Sequence, residues 1–359
     1  MVDPSHGVIA MTTRRDTFRP GQWLWRGWKT FWFARLDPLP LAVFRIAVGS
    51  LMFWAFVCLY PDWSRYFGSS GVQSLNDPTL PAPFIDWWSI FYWTETFLPV
   101  RAIWWLALMA AVGFTIGWQT RACAILLFII ESSMIHSNRW AINGEDLIFR
   151  MLMLYACFAT LHHRLSVDRW LETRRGGSPA IAPAAWPVAW PVRLMQINIA
   201  LVYAISLPNK LVDDVAWRDG NAIYLSIVSN MWSRFPWPAL FYDGLLSKFF
   251  TYGTIVVEGL FPILVWFRRT RLYITFALAS LHLGIAIMLQ NVAFFSLAMV
   301  CSFTVFLPAD FLRRVALFGQ TTLAPRLAPG RRAAAAITAE NSRAPTPASG
   351  AVPIAPDKP

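Results

Sequence analysis

Charge is what this chain has least of. Asp, Glu, Lys and Arg together make up 14% of its 359 residues, where a soluble domain carries about 25%. With 56% hydrophobic residues and a mean hydropathy of +0.45, the chain lacks the polar groups to cover a water-facing surface, which excludes an ordinary soluble domain. Acids are scarcer than bases, 20 against 31, for a net charge of +11. The bases fall mostly between apolar segments, where they set topology and meet anionic lipid. The expected partner is therefore the lipid bilayer, and nucleic acid is not an expected partner.

Cysteine is scarce too. Cys58, Cys123, Cys157 and Cys301 each sit within an apolar segment and none forms a CxxC pair, so they read as small buried hydrophobes rather than a disulfide framework or metal site. The histidines lack helical metal-ligand spacing, and no metal is expected. GxSxG, Walker and Rossmann patterns are missing. The opening "MVDPSHGVIAMTTRRDTFRP" has no apolar core, so no cleavable signal peptide is expected.

Long apolar runs are plentiful. A spanning helix needs about 20 mostly apolar residues. The runs near 40–60, 100–118, 121–137, 146–162, 191–208, 250–267, 271–289 and 292–308 predict an all-α, polytopic transmembrane helical bundle of about eight spans. Tryptophan is abundant, with 20 copies, and aromatics reach 16%, as interfacial belts require. The aromatic stretches within 62–99 and 209–249 predict short interfacial helices. Basic residues such as Arg14, Arg15, Arg121, Arg164, Arg169 and Arg268 mark one set of loops; Asp62, Asp77, Glu145, Asp213 and Asp214 mark the other. The positive-inside rule then puts both termini in the cytoplasm and Lys210 at the outer face. Residues 1–35 read as a basic N-terminal segment, 36–315 as the membrane domain and 316–359 as a disordered Ala/Pro-rich tail.

Ionisable groups within apolar spans are costly and point to function or to specific pairing. They are Arg45, Glu131, His136, Asp146, Arg150, Lys210, Glu258 and His282. Asp146 and Arg150 are four residues apart and can pair on one helix face. Arg45 reads as a buried partner of Glu131 or Asp146, and Glu258 as a neutralising partner of Lys210 or Arg45. Lys210, in "YAISLPNKLVDDVAW", has two readings. It is a snorkelling anchor, or an amine sheltered enough to give up its proton and serve as a general base. Pro208 is expected to end the preceding helix irregularly, and Asp213 and Asp214 would oppose that deprotonation if they pointed inward.

"PLAVFRIAVGSLMFW", "IGWQTRACAILLFII", "NRWAINGEDLIFRMLML", "HHRLSVDRWLE", "QINIALVYAISLPNKLVDDVAWRDGNAIYL", "VVEGLFPILVWFRRTR" and "SLHLGIAIML" occur in an order and spacing that resemble the vitamin K-dependent gamma-carboxylase family, specifically its bacterial HTTM-domain proteins. The resemblance runs over roughly residues 35–312. It implies a reduced quinone as cofactor, Lys210 as the base that deprotonates it, and His282 in the same active region. Glu145 stands where the carboxylase has a second active-site histidine, so the resemblance implies a differently tuned site of Lys210, His282 and Glu145. Asp146, Glu258, Arg45 and Arg150 would support it, and Trp217 would wall it. Only a short tail follows the last span, where the carboxylase has a large substrate-engaging region. Chemistry on a lipid quinone is therefore the expectation rather than carboxylation of a protein.

The resemblance implies a multi-pass protein of a bacterial inner membrane. Two functions stay open: a quinol- and oxygen-dependent enzyme of epoxidase or carboxylase type, and a non-catalytic quinone- or lipid-binding module of a redox assembly. A transporter is disfavoured by the lack of an internal repeat. The sequence names no protein partner.

Overall fold

Asp37 and Pro38 begin the first long helix. The Asp37 side chain accepts a hydrogen bond from Leu39 N at 2.9 Å, and proline at the first helical position gives up an N–H that has no helical partner anyway. The computed structural model describes residues 20–68, 88–93, 98–138, 141–178, 180–236 and 244–327. Within them the helices are α1 (Pro20–Phe33), α2 (Pro38–Phe67), α3 (Val100–Ile116), α4 (Thr120–Ser137), α5 (Gly144–Ala156), α6 (Val167–Arg174) and α7 (Trp190–Val212). They continue with α8 (Val215–Arg218), α9 (Ala222–Val228), α10 (Gly244–Leu264), α11 (Arg271–Met288), α12 (Ala293–Ser302) and α13 (Ala309–Leu327). The fold is all-α, as the apolar runs predict.

The chain divides into two units, residues 1–307 and 308–359. The described part of the second is α13, whose Arg313 pairs with Asp310 at 3.0 Å. This helix reaches Leu327, past the expected start of a disordered tail at 316. Residues 1–19 of the basic segment, 69–87 and 237–243 of the expected interfacial stretches, and 328–359 of the tail lie outside the described residues.

In the first unit, α2 packs along α3 so closely that a Cβ on Gly49 would sit 2.4 Å from Thr115 Oγ1. Buried Trp63 and Trp104 donate their indole N–H groups to Val100 O (2.9 Å) and Phe56 O (2.7 Å). Buried indoles thereby keep their donors satisfied while adding apolar area. Leu36 N bonds Pro187 O, and Ala189 N bonds Ala34 O, both at 2.9 Å, so α2 and α7 start at the same end of the bundle. Trp54, Trp105, Met109, Ile205, Ile263 and Ile287 remain exposed. Apolar side chains on the outside of helices match a hydrocarbon solvent.

Among the described residues four helices are long and apolar enough to cross a membrane, α2, α4, α7 and α11, or up to five if a bent pair counts as one span. About eight spans were expected, and the other segments differ for identifiable reasons. α3 is apolar but has 17 residues. α10 has 21 residues but carries Lys248 and Glu258. The runs at 146–162 and 292–308 contain breaks: α5 stops after 13 residues at Ala156, and α12 passes into a 3-10 turn at Phe303. Hydropathy counts residues but does not register where a helix stops.

The break after α5 explains Arg45. This residue was expected to meet Glu131 or Asp146. Instead, fully buried, it donates to the carbonyls of Leu161 (2.9 Å), Arg164 (3.4 Å) and Leu165 beyond the end of α5. Carbonyls freed from helical bonding are strong acceptors in a dry environment, and one guanidinium satisfies several of them. Gly117 lies against it with φ +77°, where a Cβ would stand 2.5 Å from both Arg45 Nη1 and Ser166 Cβ. The Asp168 N–H donates to Gly117 O (3.1 Å), and its carboxylate accepts from Gln119 N (3.1 Å) and Thr120 N (3.5 Å) at the start of α4. A carboxylate there meets the free N–H groups of a helix N-terminus. Arg45, Gly117, Ser166 and Asp168 thus form a structural clasp.

Arg45→Ala should therefore destabilise the detergent-solubilised protein by about 2–5 kcal/mol, since each orphaned carbonyl costs about 1–3 kcal/mol and the loss of a buried charge offsets part of that. Thermal unfolding checks this; Gly117→Ala should destabilise as well, through its left-handed φ.

Candidate functional site

Pro208 does not end its helix. α7 stays helical through Val212, although proline offers no N–H to the carbonyl one turn back. Lys210 therefore sits in the last helical turn, where a cation meets the negative end of the helix dipole. Its Nζ lies 2.5 Å from Glu258 Oε2 on α10, with side chains 18% and 7% exposed. The same Nζ stands 4.2 Å from the centre of the Trp217 ring on α8. A desolvated ammonium gains from both contacts. Of the two cations offered to Glu258, it is Lys210 that it meets. Asp214 does not oppose the amine as a free charge: its Oδ1 accepts from Ala216 N at 2.9 Å and caps α8, the helix that carries Trp217. Asp213 is exposed. The amine is thus half of a sheltered ion pair with Glu258.

Beside it lies an open hollow of about 450 Å³, lined by Val202, Ile205, Ser206, Asn209, Lys210 and Asp214. Its lining combines apolar Val202 and Ile205 with polar Ser206, Asn209, Lys210 and Asp214.

Buried His282 on α11 shares a 2.7 Å hydrogen bond between its Nε2 and the hydroxyl of Tyr203 on α7. The ring packs near Phe295 and Phe303, and its buried Nδ1 has no hydrogen-bond partner among the described residues. Tyr203 precedes Lys210 by seven residues, two helical turns along one face of α7. Three helices thus bring together Tyr203, Lys210, Glu258 and His282.

Glu145 faces a different hollow. It lines a cavity of about 170 Å³ with Glu131, Asp146, Asn143, Phe56 and Phe294, among others. Glu131 and Glu145 each bury one carboxylate oxygen with no hydrogen-bond partner among the described residues. Asp146 does not pair with Arg150. It accepts from Asn143 N at 2.8 Å and completes a capping box at the start of α5, because a carboxylate in the first turn finds backbone donors closer than a side chain four residues on. Arg150 joins no ion pair among the described residues. Phe295 stands next to both regions: a Cβ on Gly144 would lie 2.8 Å from its ring, and the His282 ring centre is 6.0 Å from its own. Glu145 and Lys210 thus line two separate hollows. Among the described residues no group of three or more His, Cys, Asp or Glu side chains is placed to hold a metal ion.

Tyr203, Asn143 and Phe295 were missed in the sequence. The seven-residue spacing of Tyr203 and Lys210 was a usable signal for the first; the other two carry none.

Apolar helices with apolar outer faces, enclosing ion-paired and hydrogen-bonded side chains, define an integral membrane protein. The HTTM domain model matches residues 33–311, and the chain belongs to the HTTM-domain family. No curated protein and no solved structure matches the chain significantly.

Breaking the sheltered pair from either side, with Lys210→Met or Glu258→Gln, should cost about 3–5 kcal/mol, because one buried charge is left alone. The double variant should cost less than the sum of the singles, with a coupling above about 1 kcal/mol in a double-mutant cycle read by thermal unfolding.

Proposed function

We propose that this protein is a quinol-dependent membrane enzyme of the vitamin K-dependent gamma-carboxylase type, with Lys210 as its base. The observation that carries the reading is the Lys210–Glu258 pair at the edge of an open, partly apolar hollow. Apolar Val202 and Ile205 suit a lipid-borne ring, and the Lys210 amine in the same lining suits its ionisable hydroxyl. A reduced quinone, when bound, would supply an acidic phenol and two-electron reducing power toward oxygen. Lys210 would take a bound quinol's phenolic proton once its own proton had passed to Glu258, the ion pair first rearranging to a neutral amine and carboxylic acid. Both states are reachable because burial makes separated charges expensive. Tyr203 and His282 position the apolar side of the site and exclude water from it. In this reading the protein lies in a bacterial inner membrane with both termini in the cytoplasm, and Glu145 tunes the site from the neighbouring hollow.

A second reading is a non-catalytic quinone- or lipid-binding module of a redox assembly. One observation favours it: Glu258 already satisfies the Lys210 charge and Trp217 covers it, as in a purely structural tie.

Quinone binding, read by quenching of tryptophan fluorescence, and quinol oxidation by purified protein separate the two. The enzymatic reading predicts that the Lys210→Met/Glu258→Gln double variant, with its charges removed together, binds quinone yet loses about 10²–10⁴-fold in turnover. Binding without turnover by any form supports the module. Failure of the wild type to bind quinone contradicts the enzyme and a quinone-binding module alike.

A further inference from the structure

At the end of the bundle where α7 and α11 begin, two arginines share a second open hollow. It measures about 340 Å³ and is lined by Phe31, Arg193, Ile197, Trp266 and Arg271. Both guanidiniums are held in place by neutral acceptors. Arg193 donates from Nε to Phe31 O (3.3 Å) and from Nη1 to Gln196 Oε1 (2.8 Å), and it lies 4.9 Å from the centre of the Phe31 ring. Gln196 is itself fixed, because its amide donates to Val305 O at 2.7 Å. Arg271 donates from Nε to Val265 O (2.9 Å) and from Nη2 to Trp266 O (3.4 Å).

These bonds orient the cations without neutralising them. No described carboxylate pairs with either guanidinium, and Arg268 adds its charge within reach of Arg271. Each guanidinium carries five N–H donors, so most remain for a ligand. Two like charges converging on one hollow beside low-dielectric walls call for an anion, and a guanidinium fork matches the oxygens of a phosphate.

The surroundings indicate where the anion comes from. Arg193 is in the first turn of α7 and Arg271 opens α11, both of them spans, so the hollow lies at headgroup depth. Over it runs α1, whose Trp23, Leu24, Trp25 and Trp28 are exposed, the pattern of a helix lying in the interface. Phe31 and Trp266, 6.1 Å apart between ring centres, wall the hollow where acyl chains begin.

We propose that Arg193 and Arg271 form a binding site for the phosphate of an anionic phospholipid, held between α1, α7 and the start of α11. The site is independent of the Lys210 centre, at the opposite end of α7.

The test uses the full chain in nanodiscs of phosphatidylglycerol or of phosphatidylcholine, followed by detergent extraction and native mass spectrometry. Wild type should retain phosphatidylglycerol and not phosphatidylcholine. Arg193→Gln/Arg271→Gln should lose that retention about tenfold or more, since each charged hydrogen-bond partner contributes at least that factor. Arg193→Lys/Arg271→Lys, which keeps charge but not the fork, should lose an intermediate amount and guards against misfolding of the glutamine variant. Equal retention by wild type and by either variant would overturn the site. Retention of both lipids alike, or displacement of phosphatidylglycerol by millimolar inorganic phosphate, would overturn the assignment to a lipid.

Discussion

The contact between Lys210 and Glu258 ties α7 to α10, and the geometry of the candidate centre depends on it. Neither charge could stay sheltered without the other. Alone, each would draw water into the helix pair or pull its helix toward the headgroups. Joined at 2.5 Å, they let two helices meet closely, and Gly259 beside Glu258 marks how closely: a Cβ there would lie 3.1 Å from Leu207 Cδ2. The same tie sets the rotation of α7 that turns Tyr203 toward His282 and leaves Val202 and Ile205 as walls of the open hollow. Trp217 completes the cover, and its position follows from Asp214, which spends its carboxylate on capping α8.

The opposite end of the bundle is built on a different principle. Among the described residues Arg45 has no carboxylate partner within hydrogen-bond reach and donates to carbonyls instead, which lets the chain leave α5 without stranding backbone acceptors in a dry region. The clasp with Gly117 and Asp168 fixes the α3–α4 turn and the entry to α6. Residues that share a recognisable sequence pattern thus divide by location: those at the clasp hold the fold, and those near the end of α7 compose a site.

The all-α class and the membrane setting were legible, because scarcity of charge and the length of apolar runs report on solvent directly. Span number was less so. Helix ends at Ala156 and Ser302 depend on backbone turns that leave hydropathy unchanged, and Pro208 signalled an ending that α7 does not make. Within the site, Lys210, Glu258 and His282 stood out as ionisable groups among apolar neighbours. Tyr203 did not, since an aromatic in an apolar run reads as packing. The errors of pairing have a common cause. Matching Arg45 to Glu131 and Asp146 to Arg150 counted side-chain charges and ignored backbone carbonyls and N–H groups, which won in both places. Glu145 was grouped with Lys210 by resemblance, and only the placement of Phe295 and two distinct hollows separates them.

Whether Lys210 is sheltered as an ion pair is the claim on which the rest turns, and amine reactivity tests it directly. Exposure of the folded protein to an acylating reagent, with peptide mass spectrometry of each lysine, compares Lys210 with Lys29 and Lys248, both of which are exposed. The account predicts that Lys210 modifies much more slowly than either, and that Glu258→Gln removes the protection. Labelling of Lys210 at the rate of Lys29 and Lys248 in the wild type would contradict it.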